Sequence, residues 1–434
     1  MLLADERDGE DEDEEKTSLF EKIKAAFPLL MAWLYKHKDF TYKSMTDEEV
    51  QSFVRKVSDY LDHAVDTSIR QVPMAEVSVQ RLKESNYVFS GIKVFHELNE
   101  AFPSMLDDNN ELRPFEDFLN DVQKINNTYN GSYLRTEYNF ARQSSLAAAR
   151  WKQFEKDGDR YNLQYRTAYD DRVRTSHRKL EGITLPPSSK FWNDYYPPNG
   201  WNCRCTVVQV RKDKYAESDE QEAINLGSQA TAGKHQEMFK FNPGKEMTTF
   251  PAYNAYTIRK CKNCKYNGSL KLAADIPDNE QCGACLISKE QAKLISIKQS
   301  TGIAYKWISE NIPEKGYKLK KVKSEKDETF DLEVSRGSLK DVVDHCKTIE
   351  QKLLINKLVE ELPNRKHSHY SKLGKGKKGD PETVKKNLLK KERRGVVGYN
   401  YYTIEIDGIN YLLDCEVYKR GFEKTYALKK WKKS

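Results

Sequence analysis

The chain has no long hydrophobic run. Its 434 residues are 38% hydrophobic and 32% charged, with a mean hydropathy of −0.83, and no stretch approaches the roughly 20 apolar residues a bilayer-spanning helix needs. It also lacks the basic start and apolar segment of a secretory signal. Nine of the first twenty residues are acidic instead, which predicts a disordered tail over residues 1–16. Cysteine is sparse: eight thiols in so long a chain do not make a disulfide framework, and point to synthesis in a reducing cytoplasm. A net positive charge is missing from most of the length. Residues 361–434 carry 19 Lys+Arg against 9 Asp+Glu, a balance of +10, so the overall +7 leaves −3 for residues 1–360. These absences argue against a membrane protein and a disulfide scaffold, and they place any polyanion partner at the C-terminal end. What remains is a soluble chain of two to four domains.

The pattern predicts an α+β multidomain protein. Residues 17–132 read as helical, through LFEKIKAAFPLLMAWLYKH, TDEEVQSFVRKVSDYLDHAV and GIKVFHELNEAF. Thr46 is the expected N-cap of the second, with Glu48 and Glu49 behind it, and Pro28 and Pro103 should interrupt the pattern. Residues 133–212 form a small core. LRTEYNFARQSSLAAARWKQFE is rich in helix formers, and YNLQYRTA and CRCTVVQVRK read as strands. LPPSSKFWNDYYPPNGWNC, too rich in Pro and Gly for regular structure, reads as an ordered loop. In it Pro197-Pro198 fix φ, Asn199-Gly200 supply positive φ, and Trp201 anchors the turn. Residues 213–255 read as a linker.

Two cysteine groups carry chemistry. Cys261, Cys264, Cys282 and Cys285 form paired CxxC knuckles separated by 17 residues, the closed tetrahedral set of a structural zinc ribbon over residues 256–289. His177, Cys203 and Cys205 are a second imidazole–thiolate set. C-x-C gives a poor tetrahedral bite, however, and a fourth ligand is not evident. The alternatives are a packed polar core, in which His177 and Arg204 bond the Asp171 region and the thiols are small hydrophobes, or a catalytic site.

Residues 290–434 read as a basic α+β domain, helices first and an antiparallel sheet after, with KGYKLKKVKSEKDETFDLEVS as an extended pair. Asp407-Gly408 is a two-residue hairpin turn. It pairs Ile406 with Ile409, Ile404 with Tyr411 and Tyr402 with Leu413, and buries that face. NRKHSHYSKLGKGKKGDPETVKKNLLKKERRG precedes the hairpin. Its Lys/Arg set suits phosphates, Tyr399, Tyr401 or Tyr402 suit base stacking, and a histidine suits deprotonation of a ribose 2′-hydroxyl. GKGKKG lacks the spacing of a P-loop.

The runs RTAYDDRVRTSHRKLEG (Arg166–Gly182) and FWNDYYPPNGWNCRCTVV (Phe191–Val208) resemble the central signature of the phage Mu protein F-like (MuF) head morphogenesis family. The resemblance covers residues 45–210, and is strongest over 133–210. It implies a minor capsid or assembly component of a phage or prophage, made in the bacterial cytoplasm and carried in the head, with portal and capsid proteins as partners. Residues 320–434 are similar to the phage-encoded branch of the Barnase–EndoU–colicin–RelE nuclease superfamily. That likeness rests on the helices-then-sheet order, the basic H-S-H-Y segment and the terminal strands Y-Y-T-I-E-I-D-G and T-Y-A-L. It implies a metal-independent ribonuclease effector, with an immunity protein as a further partner. Its candidate catalytic residues are His367, His369, Lys372 and Arg394, with Tyr402 and Tyr426 behind them. The alternative is a purely structural minor capsid protein whose basic tail binds packaged DNA or the portal. The tail lacks the R…S-T-S…E-x-E pattern of an ADP-ribosyltransferase.

Overall fold

The computed structural model describes residues 2–434 except 39, 110, 234–235, 253, 258–281, 326, 375–379 and 432–434, with backbone alone over 2–11. The chain divides into two compact units, Met1–Lys293 and Leu294–Ser434. Both helix and sheet are present, and the class is α+β. Among the described residues no helix is long and apolar enough to cross a membrane.

The first unit is built on α1 (Leu2–His37), α2 (Glu48–Gln71), α3 (Glu76–Ala101), α4 (Phe115–Asn126) and α5 (Leu134–Asp157). α2 buries Val50, Phe53, Val54, Val57, Leu61, Ala64 and Val65, one helical face, and packs on α1, α3 and α5. α3 is surrounded. Phe89, Ile92, Val94, Phe95 and Leu98 are buried on it, and so are Ser90, Lys93 and Glu97. At Gly91 a Cβ would lie 2.3 Å from Ser288 Oγ, so only glycine fits. A buried lysine must be paired. Lys93 Nζ lies 2.6 Å from Glu137 Oε2 and donates to the Tyr129 carbonyl at 2.5 Å. Glu97 accepts from Asn130 Nδ2 at 2.6 Å. Burial pushes its carboxyl up to about 8, against the pull of Lys93 and that hydrogen bond.

Three expectations change here. The acidic residues 2–16 are not a free tail but the start of α1, and Glu12 and Glu15 reach Arg70 and His63 of α2. Acidic side chains suit the positive end of the helix dipole. Pro28 lies inside α1 without ending it. Phe27, Leu30, Met31 and Leu34 around it are buried, and their packing outweighs one lost hydrogen bond. Thr46 closes a 3₁₀ turn (Tyr42–Thr46), and Asp47 takes the N-cap of α2. Pro103 does mark the end of α3.

A small sheet follows. β1 (Asn162–Arg166) lies between β2 (Thr184–Leu185) and β3 (Thr206–Val210), both antiparallel to it, with Leu163 opposite Leu185 and Tyr165 opposite Val207. One-turn helices α6 (Thr175–Arg178) and α7 (Phe191–Asp194) sit in the connections. Trp151, Phe154, Leu163, Tyr165, Phe191, Trp192 and Tyr196 form the core. Residues 213–255, read as a linker, contain α8 (Glu220–Ala230) and α9 (Pro243–Glu246) and bury Phe239, Phe241 and Phe250. The segment docks through a few spaced anchors, which composition alone does not reveal. α10 (Gly283–Asn311) carries the boundary between the units.

The second unit continues with β4 (Tyr317–Leu319), β5 (Asp331–Val334), α11 (Arg336–His345), α12 (Ile349–Leu353), α13 (Ile355–Glu361), β6 (Lys366–Lys372), α14 (Pro381–Arg393), β7 (Val396–Ile406), β8 (Ile409–Tyr418) and β9 (Phe422–Lys430). The sheet order is β4-β5-β9-β8-β7-β6. Asp407 (φ 52) and Gly408 (φ 74) make the hairpin turn, and the predicted pairs Ile406–Ile409, Ile404–Tyr411 and Tyr402–Leu413 are the observed register. Five of these six side chains are buried; Ile409, beside the turn, is 38% exposed. The expected order of helices and then an antiparallel sheet needs correcting. β4 and β5 precede α11, and β5 joins β9 in parallel, which the long helical crossover permits. The H-S-H-Y segment does not precede the sheet either: it is edge strand β6.

Candidate functional site

In the small-sheet region, two loops are drawn together by an ion pair. Arg204 Nη2 donates to Asp170 Oδ1 at 2.7 Å, and Nη1 bonds Oδ2. This pairing holds the Asp170 carboxyl down at about 2. Arg204 thus bonds the Asp171 region as expected, through the neighbouring Asp170; Asp171 itself is exposed. Arg174 Nη2 donates to the Trp201 carbonyl at 2.7 Å. Trp201 is half-buried, edge-on to Phe140 and Phe239. The left-handed residue of the turn is Asn202 (φ 57), not Asn199 or Gly200, and Pro197–Pro198 is a cis bond. Asn199 is wholly buried and accepts from the Tyr165 hydroxyl at 2.9 Å.

This turn aims Cys203 and Cys205 inward, toward His177 on α6. His177 Nδ1 lies 3.7 Å from Cys203 Sγ and 3.8 Å from Cys205 Sγ, and the three donor atoms all lie within 4.8 Å of one another. All three residues are buried. His177 thus faces the thiols rather than the Asp171 region. The two thiols differ in acidity. A hydrogen bond from Cys205, opposed by burial and helped by the imidazole, holds Cys203 well below the usual thiol range; Cys205, giving that bond, is pushed up. The arrangement can act as a soft-metal donor set or as a thiolate–imidazole pair.

The zinc-ribbon expectation falls mostly outside the described residues, Cys261 and Cys264 included. Cys282 Sγ and Cys285 Sγ lie 3.4 Å apart at the start of α10.

The six candidates of the second unit do not form one site. A β-bulge separates His367 from His369, so the two do not share a face as i and i+2 would. His367 stands opposite Tyr402 and His369 opposite Tyr401, neighbours that point to opposite sides. His367 is tied up structurally, with Nδ1 at 2.9 Å from Ser324 Oγ and Nε2 at 3.0 Å from Asn400 Oδ1. Tyr402 is buried beside it and donates to Glu423 Oε2 at 2.7 Å. His369 is exposed and stacks on Tyr401 at 4.4 Å. Lys372 is exposed at the end of β6.

Arg394 and Tyr426 belong to a separate polar cluster around Glu416, which is 1% exposed. Arg394 Nη2 is 3.1 Å and Lys391 Nζ 3.0 Å from its carboxylate, and Tyr418 donates to it at 2.9 Å. Lys391 sits 3.8 Å from the Tyr426 ring centroid and also bonds Tyr399. Burial opposes its charge, but Tyr399, Tyr426 and Glu416 hold it protonated, above the usual lysine range. Sequence reasoning missed Lys391 and Glu416. The signal was present: the predicted register sets Asp414 and Glu416 on the face opposite Leu413 and Cys415.

Among known proteins, residues 113–208, from α4 to β3, match the family model described as Phage Mu protein F like protein. The "Putative capsid assembly protein F" of Escherichia phage Mu is 27% identical over 172 residues, 38% of this chain and 36% of its own length. The Mu-like prophage FluMu F protein of Haemophilus influenzae is 34% identical over 94 residues, 20% of this chain and 23% of its own. An uncharacterised protein of Methanocaldococcus jannaschii is 31% identical over 96 residues, 22% of this chain and 15% of its own. The chain spans about a third of the length of the Mu protein and less than a quarter of the other two. No solved structure matches. The matched residues 113–208 contain the His177–Cys203–Cys205 cluster.

Proposed function

We propose that this protein is a phage or prophage head morphogenesis protein whose Mu F-like segment works in capsid assembly, in contact with portal and capsid subunits. One observation carries the reading: the match of residues 113–208 to the Mu protein F model, together with the similarity to the "Putative capsid assembly protein F" of phage Mu. On this reading the chain is made in the bacterial cytoplasm and enters the head. Co-expression with the capsid and portal proteins of the same phage tests it. The chain should sediment with procapsids; heads that assemble normally and exclude it would contradict the reading.

A second reading concerns Leu294–Ser434. The +10 balance of residues 361–434 and the Lys391–Arg394–Glu416 cluster beside Tyr399 and Tyr426 favour a ribonuclease-like effector that binds RNA. Its reacting groups then lie around Lys391 and Arg394, not at His367. The full chain should cut tRNA or ribosomal RNA without added metal, and Lys391→Met should abolish the cutting. Intact RNA that is merely retarded would favour a structural, nucleic-acid-binding tail. For the paired CxxC we retain structural zinc as the reading, supported by the closeness of Cys282 and Cys285.

A further inference from the structure

The geometry points to a zinc-class divalent cation bound by His177 Nδ1, Cys203 Sγ and Cys205 Sγ, with a water molecule as its fourth ligand. A tetrahedral zinc with one imidazole at about 2.0 Å and two thiolates at about 2.3 Å sets its nitrogen–sulfur edges near ~3.6 Å. The two observed edges, 3.7 and 3.8 Å, need only a few tenths of an ångström of closure. The three donors are buried and converge from two separate elements, α6 and the turn before β3. No fourth His, Cys, Asp or Glu joins the group among the described residues.

The side left open by the protein ligands faces a cleft of about 20 Å³, room for one water. Ala168, Val173 and Asn202 line it with Arg172, Arg174 and Arg204. Arg204 is committed to Asp170 and Arg174 to the Trp201 carbonyl, which fixes the walls of the cleft. Two thiolates would neutralise the cation, so the buried site carries no net charge when loaded. An open fourth position distinguishes this site from the closed four-cysteine set expected at Cys261–Cys285. The ion would also pin the α6 loop to the 199–205 turn. The inference does not depend on a role in phage heads.

The test uses the full chain carrying Cys282→Ser and Cys285→Ser, which disables the paired CxxC. Elemental analysis after zinc loading should find one zinc per chain, and adding Cys203→Ser and Cys205→Ser should remove it. Cobalt in the first variant should show four-coordinate bands with thiolate charge transfer. A folded Cys282→Ser/Cys285→Ser chain that holds neither zinc nor cobalt overturns the site. A variant-free measurement guards against misfolding. In the wild-type chain, excess zinc should slow alkylation of Cys203 and Cys205, read peptide by peptide, by at least about tenfold, since the thiolate is both nucleophile and ligand. Equal rates with and without zinc overturn the proposal.

Discussion

The two units treat their histidines in opposite ways. In the first, His177 and the pair Cys203/Cys205 are 26 and 28 residues apart, yet their donor atoms meet within 4.8 Å. In the second, His367 and His369 are two residues apart, and a single bulge turns them to opposite sides of the sheet. Closeness along the chain is therefore a poor guide to a shared site. An isolated residue that the tertiary fold brings in can complete one, and an extra residue in a strand can split one. The polar chemistry of the second unit gathers instead around Glu416, through side chains contributed by α14 and its C-cap, β7, β8 and β9.

Four measurements sharpen this contrast, in order of expected effect. Lys391→Met should destabilise the second unit by ~2–3 kcal/mol, since the buried Glu416 carboxylate keeps Arg394 and Tyr418 but loses one charged partner; denaturant unfolding reads this, and a loss under ~1 kcal/mol would remove the cluster as an organising feature. His367→Ala should cost ~1–3 kcal/mol, because the buried Asn400 Oδ1 loses its half-buried partner, while any RNA cleavage by the full chain stays unchanged. Loss of cleavage at unchanged stability would restore His367 to the catalytic set.

A third concerns pH. Glu97 is buried and Asp62 half-buried, and desolvation raises each carboxyl to about 8 in the folded chain. A raised folded value means that the folded state holds protons the unfolded state has released. Their contribution is fully present below the unfolded carboxylate values and is lost as pH rises through about 8. Stability of the first unit should thus fall between roughly pH 5 and 8, by at most ~1.4 kcal/mol per pH unit for each group. Glu97→Gln should flatten that slope; an unchanged slope would show that Glu97 is already ionised in the folded state. Smallest of all, His369→Ala should shift stability by less than ~0.5 kcal/mol, as befits an exposed side chain. A larger loss would mean that its stacking on Tyr401 matters more than exposure suggests.

Much of the fold was legible where local chemistry decides it. Asp407-Gly408 fixed the turn, and alternation from it gave the register through Tyr402–Leu413. The residue types of the His177 cluster were legible too, but not their meeting, which depends on Asp170–Arg204 and on the left-handed Asn202. The linker reading of 213–255 failed because Phe239, Phe241 and Phe250 are spaced anchors in a polar background. The bulge between His367 and His369 leaves no pattern in composition or periodicity. It is a one-residue event settled by packing of His367 against Asn400 and Tyr402.

On the proposed reading, the Mu F-like segment engages the phage head and the histidines of β6 take no part. Quantitative recovery of the full-length chain in sedimented procapsids tests it most directly. Wild type is compared with two variants shown to be folded, Trp201→Ala/Arg204→Ala and His367→Ala/His369→Ala. The account predicts that the first variant is lost from the heads and the second is retained at the wild-type level. Retention of the first together with loss of the second would contradict it.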